Sequence, residues 1–216
     1  MMTTDKKAEL TRITAREGGA SLVFSITVTE GDEARRETLV AFASRIGTLP
    51  RLGALTDEEL ATLLFEDAYT KALKTGLRLL GSASLSKAQL MQKLCSRGIK
   101  REMAASVAEE LWERGYGNEC DGALSVARRD LLKLWGDRRI LLDVRAKGYD
   151  GEALDAVRRL LQEEDGTARC RRLLKKRYRA ALADRDARER LAAALARYGY
   201  TSREIVAALS LCQKDP

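Results

Sequence analysis

Apolar and polar residues along the chain follow two different periods. In residues 9–16 (ELTRITAR) and 21–29 (SLVFSITVT) β-branched residues partly alternate with polar ones, and Glu17-Gly18-Gly19 between them is a turn signal, which predicts a β-hairpin. A third run, residues 38–42 (TLVAF), adds a candidate strand before Pro50 and Gly53 break the pattern. A lone hairpin is marginal in water, so this segment is expected to pack on the rest of the chain or on a partner. From Thr56 the period becomes helical. Thr56-Asp57-Glu58-Glu59 has the form of a capping box, and Leu60, Leu63, Leu64, Ala68, Ala72, Leu73 and Leu77 follow at helical spacing. Ser86-Lys87-Ala88-Gln89 is a second box, opening a helix through Leu90 and Leu94 that stops at Gly98.

That stop recurs. Residues 94–99 read LCSRGI, residues 144–149 VRAKGY and residues 195–200 LARYGY, so Gly98, Gly148 and Gly199 lie 50 and 51 residues apart. A glycine just past a helix takes the left-handed conformation cheaply, and the Schellman arrangement then sets the next residue against the third from the helix end. The expected pairs are Ile99 on Leu94, Tyr149 on Val144 and Tyr200 on Leu195, with Tyr116 on Leu111 around Gly115 as a fourth. After each of the three repeated glycines a further amphipathic helix begins, through Met103, Val107 and Leu111, through Leu154, Val157 and Leu160, and through Ile205, Ala208 and Leu209. Asp150 is placed to cap the second of these, and Thr201-Ser202-Arg203-Glu204 boxes the third. One more helix precedes each stop-helix, around residues 73–80, 124–134 and 168–182.

The pattern predicts a mainly α protein of tandem three-helix repeats with a small N-terminal β-hairpin segment. The expected divisions are 1–54 (β-rich), 55–116, 117–163 and 164–216. Each unit has too little apolar surface to stand alone, so the units are expected to stack into an elongated, curved body that needs no second chain and is therefore monomeric.

Composition agrees with helix and adds a location for charge. The chain has 216 residues, 45% hydrophobic and 5% aromatic, with a net charge of +7. Residues 169–190 hold ten basic residues (Arg169, Arg171, Arg172, Lys175, Lys176, Arg177, Arg179, Arg185, Arg188 and Arg190) against three acids (Asp184, Asp186 and Glu189), which equals the whole excess. Clustered cations of this kind are an electrostatic footprint for a polyanion. Tyr178 sits among them, either as a stacking platform or packed on the next helix with its hydroxyl in water. Trp112 and Trp135 are read as packing residues.

Other chemistries are disfavoured. Cys95, Cys120, Cys170 and Cys212 form no C-x-x-C pair and no histidine is present, so neither structural zinc nor any other cofactor is expected. The chain shows neither a signal-peptide pattern at its start nor an apolar run of membrane-spanning length, which points to the cytoplasm and to reduced, buried or inert thiols. With no imidazole, phosphate-binding G-x-x-x-x-G-K-[ST] loop or G-x-S-x-G elbow, an enzyme is not expected.

The order of these pieces resembles the RecX family. Residues 175–209 (KKRYRAALADRDARERLAAALARYGYTSREIVAAL) look like its C-terminal module: a basic Tyr-containing helix, an acidic link, a helix ending in Arg-x-Gly-aromatic and a closing helix. Residues 84–112 are similar to its opening pattern, and Gly136-Asp137-Arg138-Arg139-Ile140 with Lys147-Gly148-Tyr149 to its middle one. The chain departs at Gly122, where the family usually has an aromatic. The resemblance implies regulation: binding RecA, alone or as a RecA–DNA filament, and restraining its strand exchange, ATPase and coprotease functions. DNA itself is a second candidate partner; a membrane is not. The candidate contact residues are Arg171, Arg172, Lys175, Lys176, Arg177, Tyr178 and Arg179, followed by Arg138, Arg139, Arg145 and Lys147. The competing reading is a helix-turn-helix-like DNA reader acting without RecA, with Lys100-Arg101-Glu102 and Ser202-Arg203-Glu204 as weak recognition sequences.

Overall fold

A computed structural model of the chain describes residues 6–31, 33–182 and 187–214. Strands β1 (Lys6–Arg16), β2 (Ser21–Glu30), β3 (Glu33–Phe42) and β4 (Gly53–Leu55) form one antiparallel sheet in the order β3-β2-β1-β4. The hairpin is present, and the register shift between Leu10 and Arg12 marks a bulge at Thr11, whose hydroxyl donates to the Ser25 carbonyl at 2.9 Å. Two points differ from the expectation. The third strand begins at Glu33 rather than residue 38, and Gly53, read as a breaker, starts a fourth strand that pairs with Leu10. Three residues are too few to show a period, and the pairing rests on backbone groups that side-chain patterns do not report.

Leu10, Phe24, Ile26, Val28 and Leu39 bury one face of the sheet together with Leu63 of α1 (Asp57–Ser82). The buried positions of α1 are Leu63, Glu66, Asp67, Tyr69, Thr70, Ala72, Leu73 and Gly76, whereas Leu64 is exposed, as is Ala68. Leu63, Ala72 and Leu73 are thus buried as expected, but the middle of the stripe turns away from Leu64 and Ala68 to the polar pair Glu66 and Asp67. Polar partners account for this. Glu66 accepts two hydrogen bonds from Arg45 at 2.6 and 3.1 Å, and Asp67 accepts the N–H of Val40 from edge strand β3 at 2.9 Å. Tyr69 donates to Glu110 at 2.5 Å, and the Arg45 guanidinium lies 3.8 Å from the Tyr69 ring centre.

The remaining helices are α2 (Lys87–Cys95), α3 (Arg101–Glu113), α4 (Glu119–Leu132), α5 (Asp137–Ala146), α6 (Gly151–Gln162), α7 (Gly166–Arg177), α8 (Arg179–Leu182), α9 (Arg188–Arg197) and α10 (Ser202–Lys214). The chain packs as two compact units, residues 1–78 with 94–111 and residues 79–93 with 112–216. The second unit holds two three-helix bundles. In one, Ala123, Val126, Ile140, Val144, Leu154 and Val157 close the core of α4, α5 and α6; in the other, Cys170, Leu173, Leu174, Leu191, Leu195, Ile205 and Leu209 close that of α7, α9 and α10. Gly122 explains itself here: a Cβ on it would come within 2.6 Å of the Tyr149 hydroxyl, so the tyrosine fills the space the missing aromatic leaves.

All three predicted capping boxes form, at Thr56/Glu59, Ser86/Gln89 and Thr201/Glu204. Asp150 occupies the N-cap of α6 without a side-chain cap bond. Its backbone, at ψ −169°, is more extended than that of Asn118 (104°) and Asp165 (95°), which do cap α4 and α7. The helix predicted over 168–182 is broken at Tyr178, and Asp184, Arg185 and Asp186 lie outside the described residues.

The stops are Schellman motifs. Ile99, Tyr149 and Tyr200 each donate to the carbonyl of Leu94, Val144 and Leu195 at 3.3 Å, around left-handed Gly98, Gly148 and Gly199. At Gly115 the N–H reaches the Trp112 carbonyl at 2.9 Å, but Tyr116 is 56% exposed rather than packed on Leu111. One further stop carries no glycine to announce it. At the end of α4, Trp135 donates to Asp130 and Leu134 to Leu131, around a left-handed leucine, Leu134, at φ 59°.

Two of the stop loops also serve as joints. The Ser86 hydroxyl at the start of α2 donates to the Lys147 carbonyl at 2.5 Å, and 50 residues on, the Gly136 N–H at the start of α5 donates to the Tyr198 carbonyl at 2.8 Å. A Cβ at Gly199 would lie 2.5 Å from the Arg139 nitrogen; at Gly98 it would meet nothing within 4 Å. Gly98→Ala is therefore expected to cost about 1–2 kcal/mol, the left-handed penalty alone, and Gly199→Ala clearly more, because backbone must also separate. Urea unfolding of the two variants side by side checks the order.

Candidate partner-binding surface

The joint between the two bundles of the second unit is built around Arg169. Its side chain is 1% exposed, its Nε donates to the Trp135 carbonyl at 2.9 Å, its Nη2 pairs with Asp137, and Glu164 stands 3.8 Å from Nη1. The charge count from sequence includes Arg169 among the partner-seeking cations; burial and these contacts show that it serves the fold. Alongside it the Tyr200 hydroxyl donates to the Leu134 carbonyl at 2.8 Å, and Arg138 N–H donates to the Gly199 carbonyl at 3.2 Å. The chain from Leu134 to Arg138 is thus held at nearly every residue by α7, the α9 stop loop or Tyr200.

That scaffold presents a row in which cations and aromatic rings alternate. Lys133 Nζ lies 4.4 Å from the Trp135 ring centre, the Arg139 guanidinium 3.9 Å from Trp135 and 5.6 Å from Tyr198, and the Arg177 guanidinium 5.9 Å from Tyr198. Arg177 also donates to the Tyr198 hydroxyl at 2.7 Å. Each such cation–π contact contributes roughly 0.5–1 kcal/mol where solvent reaches it and about 2 where it does not. Lys133 is additionally paired at 2.7 Å with Asp130, whose side chain is fully buried.

Among the residues singled out from sequence, Arg139 and Arg177 are brought together here. Arg172, Lys175, Lys176 and Arg179 are exposed along α7 and α8, Arg171 is half-buried, and Tyr178 packs partly against the α7–α9–α10 core. Arg138 and Arg145 are exposed on α5, while Lys147 is paired with Asp143 at 2.6 Å. Trp135 packs partly on the α4–α6 core, as expected, and carries Arg139 on its ring as well. Sequence reasoning missed Tyr198 and Lys133. The available signal for Tyr198 was its place before Gly199, where the other two stops have Arg97 and Lys147.

The remaining chemistry is limited. Among the described residues no group of three or more cysteine, aspartate and glutamate side chains could hold a metal ion, and no helix is long and apolar enough to cross a membrane. Cys170 and Cys212 are buried, and burial pushes the Cys170 thiol up to about 12. Cys95, expected to be buried or inert, is exposed because it lies one position around α2 from the core residue Leu94.

Burial raises the Asp137 carboxyl above its ordinary value despite the pull of Arg169. A carboxyl raised on folding favours the folded state below its unfolded pKa and loses that contribution as pH rises through the folded one. At neutral pH the ionised Asp137 is therefore tolerated only beside its cation. Arg169→Met is expected to destabilise by about 3 kcal/mol at pH 7, the low end for a broken buried pair because Asp137 is 36% exposed. The loss should shrink as pH falls below neutrality and Asp137 takes up a proton, because its carboxyl is raised by burial; urea unfolding at neutral and at acid pH measures it.

No family model matches the sequence. Curated relatives do. The regulatory protein RecX of Pelodictyon phaeoclathratiforme is 31% identical over 143 residues, covering 65% of this chain and 88% of the relative. That of Mycobacterium leprae is 33% identical over 133 residues, covering 60% and 78%. Among solved structures, a regulatory protein RecX shares the fold with a TM-score of 0.71 at 17% identity, over 91% of this chain and 96% of its own. RecX from Lactobacillus salivarius follows with a TM-score of 0.59 at 18% identity, over 67% and 96%. Shared length, fold and identity together place this chain in the RecX family of regulatory proteins.

Proposed function

We propose that this chain binds RecA, alone or as a filament on DNA, and restrains its recombinase, ATPase and coprotease activities. Membership of a regulatory family supports a binding role, and the resemblance read from the sequence supplies the partner. The observation that carries the reading to particular residues is the exposed cation set of α7 and α8, Arg172, Lys175, Lys176, Arg177 and Arg179. Five positive side chains within eight residues, on a helix that breaks at Tyr178, face solvent rather than the bundle core. A nucleoprotein filament offers both phosphates and acidic protein surface to meet them. The contact is electrostatic in origin, and Arg138 and Arg145 of α5 extend it. The chain acts as a monomer in the cytoplasm.

Replacing Lys175, Lys176, Arg177 and Arg179 together by Ala is expected to weaken inhibition of the RecA ATPase while leaving far-UV helicity unchanged. Binding to RecA filaments should also become less salt-sensitive, the slope of log affinity against log salt falling by about one for each phosphate that no longer meets a cation. Equal inhibition by variant and parent at every salt concentration would remove α7 and α8 from the interface.

A further inference from the structure

We propose that the row Lys133, Trp135, Arg139, Tyr198 and Arg177 is a platform for single-stranded nucleic acid, gripping phosphates and base faces without regard to sequence. This goes beyond RecA binding and requires no RecA. The composition of the row comes first. It alternates three cations with two half-buried rings, and single strands are held by cations along the backbone and by aromatic faces under the bases.

Preorganisation comes second. The Trp135 carbonyl is fixed by the buried Arg169, the Tyr198 carbonyl by the Gly136 N–H, and the Arg139 N–H by the Gly136 carbonyl at 3.0 Å. The backbone that carries both rings and the central guanidinium is therefore fixed before any ligand arrives, and the stacking of Arg139 on Trp135 and the Arg177 bond to the Tyr198 hydroxyl restrict the side chains, which lowers the ordering cost of binding.

The ligand class follows from what the row lacks. A protein hot spot needs an apolar, desolvated centre ringed by neutral contacts, whereas cations lie within 6 Å of both ring centres here. A duplex stacks its base faces inside and offers nothing to a ring. An unstacked base can displace the flexible Lys133 side chain from Trp135 while phosphates meet Arg139 and Arg177. Arg139 is held over Trp135 and near Tyr198, and no Asn or Gln belongs to the row, so base edges go unread. Lys133 shares its charge with Asp130 and contributes less than Arg139.

The experiment uses the full chain with Trp112→Phe, which leaves Trp135 as the single tryptophan. Titration with an oligothymidylate of about 16 nucleotides is expected to quench Trp135 emission saturably, with affinity falling as salt rises. Arg139→Leu should weaken binding about tenfold or more and Lys133→Ala by less, each with unchanged circular dichroism. Arg139→Lys, which keeps charge and fold, should also weaken binding while leaving the salt slope unchanged, because an ammonium cannot lie flat on Trp135 as the guanidinium does. An unresponsive Trp135, or equal affinity in Arg139→Leu and Arg139→Lys as in the parent, overturns the proposal. So does equal affinity for a duplex of the same length, which makes the row a general polyanion face, or for a polyglutamate peptide, which makes it a protein dock. Because RecA is absent throughout, failure here leaves the RecA reading standing.

Discussion

Arg169 spends its charge inside the protein. An arginine side chain 1% exposed is costly unless its donors are met, and here the partners are a carboxylate from α5 and the carbonyl of the residue that precedes Gly136. The consequence is positional. With Trp135 tied from below, α5 can start only where Gly136 touches the loop at Gly199, an approach so close that a Cβ on Gly136 would run into the Gly199 backbone and one on Gly199 into that of Arg139. Bundle packing, the strained leucine at position 134 and the order of rings and cations along the surface all depend on that one anchored stretch.

The left-handed leucine illustrates how such an anchor is used. A leucine at positive φ costs about 1–2 kcal/mol relative to glycine, yet the α4 stop repeats the hydrogen bonds of the glycine stops. What holds it is the Tyr200 hydroxyl on its carbonyl and Arg169 on the next one. Local strain is thus set against contacts made by residues more than thirty positions away.

How far the sequence reveals this depends on which groups make each contact. The glycine stops, the three capping boxes and the 50-residue spacing were legible because each is a local pattern with a fixed side-chain requirement. The stripe on α1 is legible only in part, at Leu63, Ala72 and Leu73, because Glu66 and Asp67 look like solvent residues until Arg45 and the Val40 N–H are seen beside them. The fourth strand and the leucine stop rest on backbone groups, which carry no signature. At the candidate surface the cations were visible and the rings were not: Trp135 and Tyr198 meet through Arg139 across 63 residues of chain, and no spacing rule links them. Arg169 is indistinguishable in sequence from the exposed cations beside it, because charge in a sequence does not say which way it faces.

The paired joints bear on how a protein of this kind diverges. In each, the residue before the stop glycine offers only its carbonyl, and the donor is a serine hydroxyl in one case and a main-chain amide in the other. Little beyond the glycine and a small residue opposite is demanded, so segments that recur at about fifty residues can differ widely in sequence while still seating on one another. The fold then outlasts its own similarity, which accords with a TM-score of 0.71 surviving at 17% identity.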